Sequence, residues 1–431
     1  MNKYAQQADA ALVAGWIDDL AAHEQATERI MAMGLAALEP LADYLRRGPQ
    51  AISQPRVFAV HMLARLHDAR VPGLLRCLLH DHPLHGLPPH LAEPEYRVKD
   101  AAVEALVHAQ ACATAEDVAF AIQHERLPAA VRAAGFLRLT SLAPTLAGLL
   151  TDDVLAEPAA TALSALRPES VATVEAHIHA WLDAGTDTAR TRLGLVRGFT
   201  WLATGSSATH DEALQRQGLR HSCAVVRAAA ALAMQDGEAE PVISALAHGV
   251  LGCDGLLALA CRNRLRHAGS ALFEPAMDAL CTDAEPDIYG NLHPADGNAR
   301  RWLLRQVLQQ TVVNPERLRY IVSHVAPDEL AACLHRAAIE TPHGIRHDDQ
   351  RARNRPGTAR GWSKADEKAG CLAGLLGDAD PMIRRKTYQA LRVYQAACQG
   401  RIHLRDLPAS AWRRSPLRCI RLLLAPHPHT T

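Results

Sequence analysis

Apolar residues recur along this chain at the three- and four-residue spacing of short amphipathic helices, and the stripes come in pairs separated by tight breaks. The pattern is sharpest from Pro128 to Asp153, PAAVRAAGFLRLTSLAPTLAGLLTDD. Val131, Ala134 and Leu137 share one face of a first helix, and Leu142, Leu146, Leu149 and Leu150 share one side of a second. Helices this short are marginal alone, so each must bury its stripe against its partner and then against the next pair. Weaker copies run through the rest of the chain. Leu12, Val13, Trp16, Ile17 and Leu20 form a stripe near the start, and Leu38, Leu41 and Leu45 form another. Val71, Leu74, Leu75, Leu78 and Leu79 follow, with Asp68 and Pro72 marking the turn before them. Further pairs are predicted over 158–182, 193–214, 225–234 and 256–280, then helices over 302–334 and 375–394. The Pro- and His-rich stretch His82–Pro94, the Pro-, Gly- and Asp-rich stretch Thr282–Asn298 and the polar stretch Thr341–Gly361 read as loops.

Laid over one another, several pairs share a line: apolar, basic, two residues, small, three residues, apolar. Arg56, Lys99, Arg132, Arg227 and Arg384 hold its basic position. A period in the thirties to forties built from helix pairs is the mark of an α-solenoid. Asp380-Pro381-Met382-Ile383-Arg384, followed by Ala390-Leu391, resembles the Asp-Pro-x-Val-Arg…Ala-Leu signature of HEAT repeats, in particular the short bacterial repeats first noted in phycobilin lyases. VKDAAVEAL from Val98 and VRAAGFLRL from Val131 match its second half. The resemblance implies an all-α superhelix of antiparallel helix pairs, a HEAT/armadillo-type solenoid of roughly eight to ten pairs. It also implies that Asp380 and the five basic residues are structural, tying neighbouring repeats together. The expected organisation is a HEAT-like solenoid over 1–340, a polar loop over 341–363, and a C-terminal HEAT-like unit with a basic end over 364–431.

Composition agrees with closely stacked helices. Aromatics are 4% of the 431 residues, and Ala and Leu dominate. Lys plus Arg and Asp plus Glu number 46 each, so overall charge gives no support for polyanion binding. The ten cysteines are spread without a CxxC, although Cys253 and Cys261 are spaced to share a helix face; unpaired thiols suit a reducing compartment. The N-terminal sequence is too polar for a signal peptide, and no apolar run reaches membrane-spanning length, so a cytoplasmic protein is expected.

Enzyme signatures are missing: there is no Walker-type glycine loop, GxSxG, HExxH or GxGxxG. Neither a catalytic residue nor a cofactor is assigned. The run His80-Asp81-His82-Pro83-Leu84-His85, with His90 beyond, has the donor types of a metal site, but the prolines spread the side chains and no metal is assigned. The His-Asp dipeptides at 67, 80, 210 and 347 echo metal-dependent phosphohydrolases of the HD type, whose fold is not a regular solenoid. Trp sits beside Arg at Arg300-Arg301-Trp302, at Arg360 and Trp362, and at Trp412-Arg413-Arg414. From Pro381 to the end there are ten Lys or Arg against one acid, Asp406. Trp and Arg are favoured in protein-binding hot spots, and the same pair binds single-stranded nucleic acid by charge and stacking. The leading expectation is a non-enzymatic scaffold, adaptor or immunity-type protein that engages another protein. The runner-up is a nucleic-acid-binding HEAT-like protein related to DNA glycosylases, acting through the basic Trp/Arg face.

Overall fold

A computed structural model describes residues 3–19, 23–108, 114–185, 187–205, 211–235, 239–253, 255–282, 284–294, 297–310, 314–340 and 372–397. The loop expected at 341–363, Arg360, Trp362, Trp412, Arg413 and Arg414 lie outside those residues. The described chain is all-helical apart from one short β-hairpin. It divides into two compact units, Met1–Leu214 and Gln215–Thr431.

The first unit holds α1 (Lys3–Asp18), α2 (His23–Met33), α3 (Leu38–Arg46), α4 (Gln54–Arg65), α5 (Val71–His80), α6 (Pro89–His108), α7 (Ala115–Phe120), α8 (Pro128–Phe136), α9 (Ala143–Gly148), α10 (Ala156–Ala165), α11 (Val171–Asp183) and α12 (Ala189–Ala203). Proline in the first turn opens α4, α5, α8 and α9, where the missing N–H would have had no partner within the helix. Helices α4, α6, α8 and α10 follow one another, each packed on the next, while α9 packs on α10 and α11. The organising stretch folds as α8 and α9 with Val131, Ala134, Leu146 and Leu150 fully buried. Close approach explains the scarcity of large side chains: a Cβ on Gly135 of α8 would lie 2.7 Å from the Ala162 Cα of α10. In the first stripe Leu12 is 51% exposed, while Val13 and Ile17 are buried and Trp16 is partly so; Leu20 lies outside the described residues.

The expected loop over 82–94 is shorter than its prolines suggest. Helix α6 already begins at Pro89 and carries Pro94 inside it. Pro89 occupies the tolerated first position, and Pro94 forfeits one backbone bond without ending the helix. The gain is a buried Glu95 one turn before a buried Lys99.

The second unit begins within α13 (Glu212–Leu219) and contains α14 (Ala224–Ala233), α15 (Glu240–Gly252), α16 (Gly255–Leu265), α17 (Phe273–Cys281), α18 (Gly297–Gln310), α19 (Pro315–His324), α20 (Pro327–Glu340) and α21 (Pro381–Ala397). Helix α15 packs on α14, α16 and α17; α18 lies on α17 and α20; α21 lies on α19 and α20. Gly249 of α15 sits where a Cβ would come within 2.5 Å of the Ala228 Cβ of α14. Cys253 ends α15 and Cys261 lies on α16, so the two do not share a helix. Within the expected loop 282–298, β1 (Ala284–Pro286) pairs antiparallel with β2 (Leu292–Pro294). The Asp287 carboxylate holds the tip together, accepting from the Tyr289 and Asn291 N–H groups at 2.8 Å each. Gly290 supplies the positive φ of +86°.

Candidate binding site

A recognition surface needs polar groups that the fold has not already spent. Several basic side chains of the described helices are spent on one task. A helix leaves its last carbonyls without partners, and a cation from a neighbouring helix satisfies them. Arg56 Nη2 donates to the Leu45 carbonyl at 3.2 Å, and Lys99 Nζ to the Leu79 carbonyl at 2.9 Å. Arg197 reaches the Leu150 and Asp152 carbonyls, and Arg264 the Met234 and Gln235 carbonyls. Lys386 donates to the Ser323 carbonyl at 2.6 Å.

The five basic residues of the shared line divide into three roles. Arg56 and Lys99 are fully buried and ion-paired, Arg56 with Glu95 and Lys99 with Glu125 at 3.0 Å. Glu95 and Lys99 stand one turn apart on α6, so both pairs thread the same helix. Arg56 Nε and Glu95 Oε1 are buried without a hydrogen bond among the described residues, so this arrangement is held by packing at a desolvation cost. Arg132 is half exposed and pairs with Glu104 at 2.6 Å. Arg227 and Arg384 fold back on the turn before their own helix. Arg227 donates to the His221 and Ser222 carbonyls, and Arg384 to the Asp378 and Ala379 carbonyls. Asp380 caps α21, its Oδ1 accepting the Met382 N–H at 2.8 Å.

The Arg300-Arg301-Trp302 cluster on α18 is also engaged. Arg300 donates to the Leu280 carbonyl at 2.9 Å and pairs with Glu329 at 3.4 Å. Arg301 bonds the Gly297 carbonyl and Asn298 within its own helix. Trp302 is half-buried, with the Arg262 guanidinium 5.7 Å from its ring.

The His-rich stretch is anchored rather than open. The Leu84 N–H donates to Glu125 Oε2 at 3.2 Å, tying the stretch to the Lys99 ion pair. His80 packs against Phe120 with ring centroids 4.2 Å apart, and His124 covers the same ring at 4.9 Å. Nearby, Asp117 caps α7 in a reciprocal box with Thr114 and pairs with Arg76 at 2.9 Å. Burial raises the Asp117 pKa, but bonds from the Thr114 N–H, Arg76 and the Thr114 hydroxyl outweigh it and hold the carboxyl below the ordinary range. Among the described residues, no group of three or more His, Cys, Asp or Glu is placed to hold a metal ion.

What remains is a surface cleft of about 370 Å³ between α19 and α21, lined by Glu316, Arg319, Tyr320, Ser323, Asp380 and Ile383. Asn314 caps α19 and Pro315 opens it. Glu316, Tyr320 and Ser323 then follow at four- and three-residue steps along one exposed stripe. Tyr320 is 41% exposed, its ring tilted against His324 at 4.2 Å between centroids and against Phe273 at 6.3 Å. Arg319, the one cation lining the cleft among the described residues, is paired with Asp378 at 3.1 Å. The Tyr320 hydroxyl titrates above its ordinary range, through burial first and then the negative charges of Cys281, Glu274 and Asp278. The sequence reading assigned Asp380 to the repeat signature and missed Tyr320 and Glu316. Their signal was an aromatic on the polar face of a helix, four residues after an acid.

No family model matches the chain, and no curated protein matches it. Among solved structures the chain is similar to an engineered protein at 14% identity, with 90% of this chain and 95% of that chain covered and a TM-score of 0.31.

Proposed function

We propose that the chain is a non-enzymatic binding protein of the HEAT-like solenoid kind, a cytoplasmic scaffold, adaptor or immunity-type protein that engages another protein through the α19–α21 cleft. The repeat spacing, the Asp380–Arg384 signature and the stepwise packing of α4, α6, α8 and α10 support the solenoid. No helix among the described residues is long and apolar enough to cross a membrane.

The observation that carries the functional reading is the exposed Tyr320 ring in a cleft of mixed charge. Rigid aromatics set in a cleft are the usual anchors of protein interfaces. A phosphate-binding groove would instead present uncommitted cations, and Arg319 is paired. The test is affinity capture from host lysate with the wild-type chain and Tyr320→Ala, each with and without nuclease. The expected result is a protein that survives nuclease and is lost from Tyr320→Ala. Capture that vanishes with nuclease, or is indifferent to Tyr320, overturns the reading.

A further inference from the structure

The chemistry of the cleft narrows its partner. Its donors are committed and its acceptors are not. Arg319 is paired with Asp378, and Lys386, at the Ser323 end, is bound to the Ser323 carbonyl. On the same two helices, Arg317 lies over Phe273 at 4.7 Å, and Arg384 clamps its own turn. The Ser323 hydroxyl lies against the Tyr320 carbonyl and His324 Nδ1, both at 2.7 Å. By contrast, the Glu316 carboxylate makes no hydrogen bond or ion pair among the described residues. Asp380 spends one oxygen on its own helix cap, and its second oxygen has no partner there. The exposed Tyr320 ring lines the same cleft as these two carboxylates, with buried Ile383 also among the lining residues.

Two acceptor carboxylates and an exposed aromatic ring lining one cleft suit a guanidinium or ammonium group. The carboxylates supply charge-assisted hydrogen bonds and the exposed ring a cation–π contact. The α17 carboxylates Glu274 and Asp278 add negative potential, which also pushes Tyr320 upward. We infer that the α19–α21 cleft recognises an arginine side chain on an extended segment of the protein partner, held between Glu316 and Asp380 against Tyr320. The inference rests on the protein-binding reading above. Arginine fits better than lysine, because its planar fork addresses two carboxylates at once while its face stacks on the ring.

The test is a titration of the full chain, followed at the Ile383 methyl by NMR, with acetyl-Gly-Arg-Gly amide and with its citrulline counterpart. Citrulline keeps the shape and removes the charge. The expected result is saturable binding of the arginine peptide, at least tenfold weaker for citrulline. Glu316→Gln and Asp380→Asn together should weaken it at least tenfold as well, and Asn still caps α21. Unchanged melting temperature shows that this variant is folded. Equal affinity for the two peptides, equal affinity for the variant, or tighter binding of acetyl-Gly-Glu-Gly amide overturns the inference. If these fail while nuclease-resistant, Tyr320-dependent capture persists, the cleft still binds protein and only its preference for a cation falls.

Discussion

The two units use the same repeat position in opposite ways. In the first, Arg56 and Lys99 point inward, each completing the end of one helix while pairing with a buried glutamate from another. In the second, Arg384 turns back on its own entry turn and bonds the Asp378 and Ala379 carbonyls, and Arg227 bonds the His221 and Ser222 carbonyls in the same way. Four aspartates of the first unit, Asp68, Asp117, Asp152 and Asp211, are held below the ordinary carboxylate range. The lesson is that a repeat signature fixes where a cation stands on its helix, while the neighbouring helices decide what it does. Where the neighbours supply buried carboxylates, the charge becomes a cross-tie. At Arg384, where they do not, it becomes a local clip, and carboxylates such as Glu316 are left facing outward.

The sharpest break in this comparison is Lys99→Met. It strands Glu125 in the core and should cost about 3–5 kcal/mol by denaturant unfolding. Adding Glu125→Leu should recover most of that loss, because an apolar pair no longer requires the desolvation of two charges. Failure of the double variant to recover would show that the Leu79 carbonyl and the Leu84 N–H, rather than the ion pair, need those side chains. Leu146→Ala should cost about 2–5 kcal/mol, since Leu146 is fully buried on α9. A change within about half a kcal/mol would contradict the packing of α9 on α10 and α11. The matching change in the second unit, Arg384→Met, should cost only about 1–3 kcal/mol, the worth of charged bonds to carbonyls.

Acid should separate the units further. In Asp152 burial raises the pKa, but bonds from the Leu155 and Val154 N–H groups and from Arg126 outweigh it. A carboxyl whose folded pKa lies below its unfolded value stabilises the fold fully above that unfolded value, about 4, and loses the contribution as pH falls through the folded one. Asp100, raised by burial, acts in the opposite sense over the same range. Amide exchange from pH 6 to pH 3 should therefore show protection falling first around Asp117 and Asp152, and last in α14 and α15. The smallest effect expected is chemical. Burial pushes the Cys261 and Cys333 thiols up to about 12, so native alkylation should mark exposed Cys77 well before either.

Much of the helical order was legible, because stripes such as Val71, Leu75, Leu78 and Leu79 become buried faces with little help from context. Pro94 misled because proline is a loop signal only where a helix cannot spare one bond, and α6 spares it. The fate of the basic line was not legible. Lys99 and Arg132 occupy the same place in the pattern, yet one is fully buried and the other half exposed, since burial depends on Glu125 arriving from another element. The cleft was hidden for a similar reason. Glu316 and Tyr320 come from one helix and Asp380 and Ile383 from another some sixty residues later, and no local pattern records that meeting. The boundary near residue 214 left no mark in the periodicity either.

The measurement that bears most directly on the account is site-specific photo-crosslinking in host lysate. One chain would carry a benzophenone side chain in place of Tyr320, and another in place of Phe136, the aromatic of α8 that is 71% exposed in the first unit. A discrete protein adduct at position 320 that survives nuclease, with none at position 136, is the predicted result. Adducts of equal yield at both positions, or nucleic acid alone at position 320, would contradict it.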